Sequence, residues 1–377
     1  MSRVESAPRL SHRPTAVSPR TVRTLTPIKV CAGLGAAFLA FQLYIYTAWI
    51  VSGDARRTPA GSDPIPGWMR VVANGWQVAA LLGLAFFLWV FLFRPMRRRG
   101  HVSLEGLIAL AVLSVYWQDP LMNIFQNQFT YNAAFVNLGS WAEHIPGWLA
   151  PRGGRIAEPL LWTMPMYIIY MGGFTFLGSA IMRRVRQRRP HFGVGGVIAV
   201  AAMTFVVLDF TTEPVFLRMG LYIYTGVIPW ATLFHGHYYQ FNMLEGLASA
   251  LDFWTPWACL HFFRNDKGET LVERGLSQLR CFGWRRTGLR FLAISGAFNA
   301  IMLVLYSLPL AIVGLYAGPW PDDIQQRSYM TNGICGPGTS YACSGPGRPI
   351  NRPDSLHVSP DGRLIVPEGT RLPQPGE

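Results

Sequence analysis

The chain has 377 residues, of which 50% are hydrophobic and only 14% are charged. A soluble domain carries about 25% charged residues, so this composition excludes an ordinary water-soluble enzyme. The net charge of +13 does not indicate nucleic-acid binding, because the basic residues occur in short clusters between apolar runs and do not mark one face of a soluble domain.

Residues 1–27 are rich in Ser, Pro, Thr and Arg and contain no apolar run, which predicts a disordered tail. They are not a signal peptide, because the apolar segment that starts near Ile28 is too long for one. Crossing ~30 Å of hydrocarbon takes about 20 apolar residues. Seven segments qualify and predict an all-α, polytopic transmembrane bundle over 28–316, followed by a Pro/Gly-rich outer tail over 317–377. They are 28–51, 71–93, 103–125, 159–182, 194–217, 241–263 and 289–316.

Basic residues alternate between the two sides of this predicted bundle. Segments 1–29, 94–102, 183–193 and 264–290 together carry 22 of the 33 Lys and Arg residues. The positive-inside rule then places the N-terminus in the cytoplasm and the C-terminus outside. The sequence thus predicts a multi-pass protein of the plasma membrane.

The chain has five cysteines and no CxxC pair, which disfavours a zinc or thioredoxin-like site. Cys335 and Cys343 fall in the predicted outer tail, where a disulfide can persist. A disulfide and two free thiols both remain open. His235 and His237, two residues apart in an aromatic segment, match no metal-binding spacing. The sequence therefore predicts no metal site.

Two predicted outer segments, 126–158 and 218–240, are rich in Trp, Tyr and Phe. Aromatic rings with polar tips favour the headgroup region of a bilayer. We expect these segments to form a cap over the outer mouth of the bundle.

Carboxylates inside apolar spans are the informative feature, because each costs several kcal/mol at depth and an intramembrane acid is a functional candidate by default. In the third span, Tyr116, Asp119, Asn123 and Gln126 are spaced by three, four and three residues. That spacing places them on one face of a helix. Pro120 disturbs the helix at this point.

The later spans carry further acids. Asp209 and Glu213 are four residues apart and share a face of the fifth span, while Glu245 and Asp252 lie in the sixth. Glu158 opens the fourth span. At 1.5 Å rise per residue, these acids reach one level in the outer half of the bilayer, which predicts a shared polar cavity. The alternatives are a helix-dipole role for Glu158, exposure of Glu213 to headgroup water, and structural hydrogen bonds between helices for the others.

The run WQDPLMNIFQNQFTYNAAFVNLGSW, residues 117–141, resembles the signature region of the spirocyclase AveC family. The Glu-Pro pair at Glu158–Pro159 and the run LDFTTEP at residues 208–214 also resemble this family. The resemblance extends over most of residues 28–316. It implies a membrane-embedded enzyme of polyketide tailoring. Such enzymes close an apolar dihydroxy-ketone into a spiroketal, and some also dehydrate the product. No cofactor is required.

Spiroketal formation needs a proton donor, a proton acceptor and stabilisation of an oxocarbenium ion. The resemblance, taken with the acids, assigns the acid–base set to Asp119 with Asp209 or Glu213. The same reasoning completes the set with Glu245 and Asp252. Predicted substrate contacts are the hydroxyl-positioning and wall residues Tyr116, Trp117, Asn123, Asn127, Glu158 and Trp162.

Three other functions fit parts of this pattern. A terpene-cyclase-like membrane enzyme also uses intramembrane acids to protonate its substrate. A small-molecule or proton-coupled transporter has them too, although no convincing inverted repeat occurs here. A receptor-like protein would also have seven spans, but the N-terminus predicted here lies inside, which is opposite to the usual orientation of such receptors. The sequence predicts the lipid bilayer and an apolar small molecule as partners and leaves the oligomeric state open.

Overall fold

The computed structural model describes residues 25–345 and 347–370, and this part of the chain is mostly helical. The predicted disordered tail lies outside the described residues except for its last three, since α1 begins at Pro27. The longer helices are α1 (Pro27–Val51), α2 (Gly67–Arg99), α3 (Leu104–Leu113), α4 (Thr163–Arg188), α5 (Val194–Arg218), α6 (243–262) and α7 (Gly283–Gly314). Two short helices follow, α8 (Asp322–Gln325) and α9 (Ser328–Thr331).

Four of the long helices contain a π-helical turn, in which one residue is effectively added to the ordinary helical register. These turns lie in α2, α4, α6 and α7, at Trp89–Phe93, Tyr167–Gly172, Ser249–Trp254 and Met302–Ser307. Single π-turns occur frequently at functional sites because they redirect the side chains that follow.

Five helices are long and apolar enough to cross a membrane, namely α1, α2, α4, α5 and α7. They match five of the seven predicted spans and mark a membrane protein. The sixth predicted span is the helix α6, which is not among the five. Glu245, Asp252 and His261 interrupt its apolar sequence. The count of seven crossings and the inside–outside orientation stay predictions.

The third predicted span is not a continuous helix, and this part of the prediction is wrong. α3 ends at Leu113, and Tyr116–Asn123 forms a 3₁₀ helix with Pro120 inside it. The chain then leaves helical structure before the strand Phe129–Tyr131. α3 is about 15 Å long at 1.5 Å per residue, half of a hydrocarbon core. Its residues are mostly buried by protein, the setting in which a bilayer tolerates irregular backbone.

α1 packs closely along the first half of α7 at a crossing made of glycines. A Cβ atom built on Gly35 would lie 1.9 Å from the Leu292 carbonyl oxygen, and one on Gly296 would lie 2.0 Å from that of Cys31. Small residues let two backbones approach in this way, which is how membrane helices gain packing energy. The contact fixes the position of α7, which carries Tyr306 towards the centre of the molecule.

The basic segments lie together at one end of the helices. The amide of Ile28 donates to the carbonyl of Arg274 at 3.3 Å, so the start of α1 meets the segment between α6 and α7. Arg290 forms a 2.6 Å ion pair with the buried Glu273 in that segment. At the same end, Arg186 near the end of α4 lies over the ring of Phe262 at the end of α6.

The opposite end carries the predicted cap. Three two-stranded antiparallel sheets lie there: β1 (Phe129–Tyr131) with β2 (Tyr222–Tyr224), β3 (Thr232–Leu233) with β4 (Phe241–Asn242), and β5 (His357–Val358) with β6 (Leu364–Ile365). Short 3₁₀ helices join them at Ala142–His144, Gly153–Arg155 and Pro229–Ala231. The loops are tied to one another, as by Thr58 with Arg155 and Asp63 with Ser328.

The C-terminal segment belongs to this cap from residue 317 to about 350. Trp320 and Tyr329 are each 2% exposed. Its backbone braces β1: Thr130 donates its hydroxyl to the Met330 carbonyl at 2.7 Å, and Ala133 its amide to the Tyr329 carbonyl at 2.8 Å. Cys335 is disulfide-bonded to Cys343, which decides between the two alternatives left open by the sequence.

Candidate active site: a cavity lined by carboxylates and tyrosines

A cavity of about 150 Å³ lies between α4, α5, α6, α7 and the cap. A water molecule needs ~10–15 Å³ on this measure, so the space accepts several waters or part of an organic molecule. Acids, tyrosines, other aromatic rings and methionines line it: Asp119, Met122, Phe129, Tyr131, Trp162, Thr163, Met166, Tyr167, Tyr170, Met171, Asp209, Glu213, Phe216, Tyr222, Tyr224, Glu245, Ser249, Phe253, Trp254, Met302 and Tyr306.

The sheet of β1 and β2 forms one wall of this cavity. Successive side chains of a strand point to opposite faces, and the register pairs Phe129 with Tyr224 and Tyr131 with Tyr222. These four rings therefore share one face, and all four line the cavity. The sequences FTY and YIY thus deliver four aromatic side chains, three of them with hydroxyls, to one surface.

Three of the four π-turns supply residues to the same cavity. The turn in α4 contributes Tyr167 and Tyr170, the turn in α6 contributes Ser249, and the turn in α7 contributes Met302 and Tyr306. The helices thus depart from regular geometry at the level of the cavity, which brings polar side chains inward from separate helices.

Asp119 is the acceptor at the centre of a first group of polar residues. The hydroxyl of Tyr131 donates to its Oδ2, and that of Tyr167 donates to its Oδ1, each at 2.7 Å. Glu158, which is fully buried, lies in hydrogen-bonding reach of the same carboxyl group. Ser140 is nearby, but neither oxygen of Glu158 accepts a well-aligned hydrogen bond from a described residue. Two carboxyl groups in such contact repel each other strongly when both are ionised, so a proton on one of them favours the arrangement.

Asp209, Glu213 and Glu245 form a second group, called here the acidic triad. Each offers a carboxylate oxygen, and these oxygens lie within 4.8 Å of one another. All three residues are at most 6% exposed. Asp209 and Glu213 lie one helical turn apart on α5, and Glu245 lies in the first turn of α6.

Hydroxyl groups surround two members of the acidic triad. Tyr306 donates to Glu245 Oε1 at 2.5 Å, and Ser249 donates to the same oxygen at 2.7 Å. Tyr222 donates to Glu213 at 3.1 Å, while the hydroxyl of Tyr224 lies between Glu213 and Glu245 Oε2, 2.7 Å from the latter. The third member of the acidic triad, Asp209, has an Oδ2 without any hydrogen-bond partner among the described residues.

The two groups contain five carboxyl groups and no opposite charge. Within residues 25–345 and 347–370, none of these five forms an ion pair with Lys, Arg or His. An ionised carboxylate taken from water without a partner is very costly. Their charge must therefore be neutralised by protons or by a bound cation.

Stacked aromatic rings border the first group. Trp162 stacks on Phe135 at 5.1 Å and on Tyr222 at 5.9 Å between ring centroids. Trp162 and Trp254 each have a buried indole N–H with no hydrogen-bond partner among the described residues. Faces of such rings stabilise a cation above them, and the two indole groups are free to donate to an oxygen atom of a ligand.

A family model described as spirocyclase AveC-like matches residues 97–330. The chain belongs to this family. The matched region contains α3 to α6, both strands of the cavity wall, and every acid of the two groups. Membership suggests a spirocyclase-type role in polyketide tailoring. No curated protein matches the chain, and no solved structure matches it.

Some of the residues predicted for the site lie at the cavity. Asp119, Asp209, Glu213, Glu245 and Trp162 all line it. Glu158 and Tyr116 lie just behind this lining: Glu158 contacts Asp119, and the ring of Tyr116 packs edge-on against that of Tyr167. The roles assigned to these residues stay predictions.

Four other predicted residues do not line the cavity. Trp117 donates its indole N–H to Asn299 at 2.8 Å in the packed interior. Asn123 accepts from the backbone amides of residues 128 and 129, and Asn127 donates to the carbonyl of Pro151. Asp252 is partly buried on another face of α6. The prediction placed Asn123 on one helical face with Tyr116 and Asp119, but the backbone there is a 3₁₀ helix, whose side chains follow a different spacing.

Six cavity tyrosines were missed as site residues: Tyr131, Tyr167, Tyr170, Tyr222, Tyr224 and Tyr306. The sequence held a signal for some of them. Aromatic residues alternate with a third residue in FTY at 129–131 and in YIY at 222–224, and alternation of this kind indicates a strand that places its aromatic side chains on one face. His235 and His237, which the sequence analysis did not assign to a site, lie outside this lining, and the ring of His237 stacks on that of Tyr239 in the cap.

Proposed function

We propose that this protein is a membrane-embedded cyclase that converts a dihydroxy-ketone of polyketide type into a spiroketal with loss of water. The single observation that carries the proposal is that two carboxyl groups in contact, Asp119 and Glu158, lie at an aromatic cavity and have no basic partner in the part of the chain that the structure describes. A proton donor and a proton acceptor are then present in one water-poor space, as ketal chemistry requires.

In the first step, the protonated member of the Asp119–Glu158 pair gives its proton to the ketone oxygen. One substrate hydroxyl attacks the carbonyl carbon and releases its proton to a carboxylate, which yields a cyclic hemiketal. The ketone oxygen has become a hydroxyl group, and no atom has been lost.

In the second step, the hemiketal hydroxyl is protonated by a carboxylic acid and leaves as water. The resulting oxocarbenium ion is stabilised by a nearby carboxylate and by the ring faces of Trp162 and Tyr222. The second substrate hydroxyl then attacks and returns its proton to a carboxylate. The sum is one dihydroxy-ketone to one spiroketal and one water. Dehydration would be a separate elimination, in which a further hydroxyl group of the product is protonated and leaves as water while a carboxylate takes the proton from the neighbouring carbon.

The same proposal includes the topology. The basic segments gathered at one end favour an N-terminus inside and a cap outside the plasma membrane. α6, and α3 with the 3₁₀ helix, would complete seven passes, with the irregular backbone shielded by surrounding protein. An apolar substrate would reach the cavity by partitioning through the lipid.

The proposal is tested with purified protein in detergent and a synthetic dihydroxy-ketone, with the products resolved by chiral chromatography. We expect stereoselective ring closure by the wild type and a loss of at least about 100-fold in Asp119→Asn, since general acid–base catalysis contributes 10²–10⁴-fold. The matched control is Asp252→Asn, which removes an acid of α6 that is not part of the cavity lining. Unchanged stereoselective turnover in a folded Asp119→Asn protein would contradict the assignment, and conversion in detergent would exclude transport as the main function.

A further inference from the structure

The acidic triad has a geometry that proton transfer alone does not require. Three carboxylate oxygens, from Asp209, Glu213 and Glu245, converge within 4.8 Å of one another. Ions of the Mg²⁺, Mn²⁺ and Ca²⁺ class hold oxygen ligands at roughly 2.0–2.6 Å. Two ligand oxygens on opposite sides of such an ion are therefore separated by about 4 Å for Mg²⁺ and about 5 Å for Ca²⁺. The triad fits a Ca²⁺-sized ion as it stands and contracts slightly around Mg²⁺.

A second observation points to a ligand at the same place. Asp209 is 3% exposed, yet its Oδ2 has no hydrogen-bond partner among the described residues. Asp209 also lines the cavity together with the other two acids. A buried carboxylate oxygen without a donor is costly, and a cation in the triad would satisfy it.

The residues around the triad donate hydrogen bonds to its carboxylates, as the residues around a metal site do to the metal ligands. Glu245 accepts hydroxyl donors from Tyr306 and Ser249, and Glu213 accepts from Tyr222 and Tyr224. Ligating carboxylates are commonly oriented by hydrogen bonds of this kind. The hydroxyl of Tyr224 contacts both Glu213 and Glu245 but has one proton, so it can donate to only one of the two carboxyl groups at a time.

Gly246 leaves the room that this arrangement needs. A Cβ atom at this position would lie 2.5 Å from Asp209 Oδ2 and 2.7 Å from Cζ of Phe241. The absence of a side chain at residue 246 thus lets α6 approach α5 closely enough for Glu245 to join Asp209 and Glu213. No contiguous sequence motif signals this set, because its members come from two helices.

We propose that Asp209, Glu213 and Glu245 bind one divalent cation of the hard, oxygen-preferring class, with Mg²⁺, Mn²⁺ and Ca²⁺ as its members. Three carboxylates supply a net charge that one such ion largely neutralises, and the all-oxygen donor set favours this class over the thiolate- and imidazole-binding metals. The site goes beyond the proposed acid–base function, which assigns its first proton to Asp119 and Glu158. A cation here would face the same cavity and could polarise an oxygen atom of the substrate.

The test uses the full chain in detergent, freed of metal with a chelator, and follows Mn²⁺ binding by electron paramagnetic resonance at neutral pH. We expect one saturable Mn²⁺ per chain, displaced by Mg²⁺ or Ca²⁺. Asp209→Asn and Glu213→Gln should each weaken Mn²⁺ binding by at least about tenfold. Loss of a residue that only hydrogen-bonds to a metal ligand already weakens metal affinity about 10–100-fold, and these two residues are proposed as ligands themselves. Asp252→Asn, which removes an acid of the same helix outside the triad, should leave Mn²⁺ affinity unchanged.

Two results would overturn the proposal: no saturable Mn²⁺ binding to the folded wild type, or binding that is equally tight in both triad variants. Melting temperature and gel filtration identify a variant that has lost its fold, and the wild-type titration decides the question without any variant. Ring closure is measured on the same preparations. Ring closure without Mn²⁺ binding would reject the cation alone, whereas Mn²⁺ binding without ring closure would reject the cyclase function alone.

Discussion

The hydroxyl of Tyr131 donates a 2.7 Å hydrogen bond to Oδ2 of Asp119. Tyr131 lies in a strand of the cap, whereas Asp119 lies in the 3₁₀ helix that follows α3. The bond therefore joins the cap to the helical part of the molecule at the cavity. It orients the carboxylate that we propose as the acid–base group, and the C-terminal segment holds the strand in place through Asn332, which donates to the Tyr131 carbonyl at 3.0 Å.

Tyr131→Phe removes this donor and keeps the ring. We expect the rate of ring closure to fall roughly 10–100-fold, because a hydrogen bond to a charged group is worth about 1.5–3 kcal/mol. Tyr316→Phe is the control, since Tyr316 is 75% exposed. Initial rates in detergent measure the effect. A rate for Tyr131→Phe equal to that of the control would show that the hydroxyl does not orient a catalytic group.

Glu158→Gln keeps the size of the side chain and an N–H that can donate to Asp119, but it removes the carboxyl group that we propose for proton transfer beside Asp119. We expect a stable protein with at least about tenfold slower ring closure, because proton transfer by a positioned acid is lost. Glu143→Gln, in the cap segment before Glu158, is the control. Thermal unfolding and initial rates are measured together. Wild-type rates in Glu158→Gln would remove Glu158 from the mechanism and leave Asp119 to act alone.

Gly246→Ala places a methyl group against Asp209 and Phe241. The site must shift to accept it, so we expect a lower melting temperature and weaker activity, with a cost of about 1–3 kcal/mol as for other overpacked positions. Gly75→Ala in α2 is the matched control, because no heavy atom lies within 4 Å of its added Cβ. That change should be neutral or stabilising, since alanine favours the helix. Equal melting temperatures for the two variants would contradict the close approach of α5 and α6.

The disulfide between Cys335 and Cys343 closes a loop with a sequence separation of 8. Loop-closure entropy predicts a stabilisation of about 2–3 kcal/mol for a loop of this size. We expect dithiothreitol to lower the melting temperature of the wild type but not that of the Cys335→Ser/Cys343→Ser double variant. The other described cysteines, Cys31, Cys259 and Cys281, are free, so they provide no alternative explanation. A reductant effect of equal size in both proteins would show that this bond does not stabilise the cap.

The proposed orientation is tested with single cysteines and a thiol reagent that cannot cross the membrane. Gln187→Cys near the basic end of α4 should react only after the cells are opened. Ser355→Cys in the C-terminal segment should react in intact cells, because the positive-inside rule places the basic end in the cytoplasm. The opposite labelling pattern would reverse the topology.

The sequence determined the apolar character of the chain, because hydrocarbon-spanning helices require long uncharged runs that are readable one residue at a time. Five helices follow that pattern. It also identified Asp119, Asp209, Glu213 and Glu245, since a carboxyl group inside an apolar run is conspicuous without any structural information. The AveC-like family was recognised from the run at 117–141, and the family match over 97–330 confirms it.

Tertiary structure decided how these acids are grouped and what surrounds them. Proline and local hydrogen bonds turn only the later part of the third predicted span into a 3₁₀ helix, so the periodicity of an α-helix could not place Asn123. Asp252 lies in the π-turn of α6 and does not line the cavity. The pairing of Asp119 with Glu158 depends on contacts between segments 39 residues apart in the sequence. The tyrosine wall depends on the register of two strands that are distant in the chain. Composition and local periodicity carry no information about such contacts, because packing between distant segments determines them.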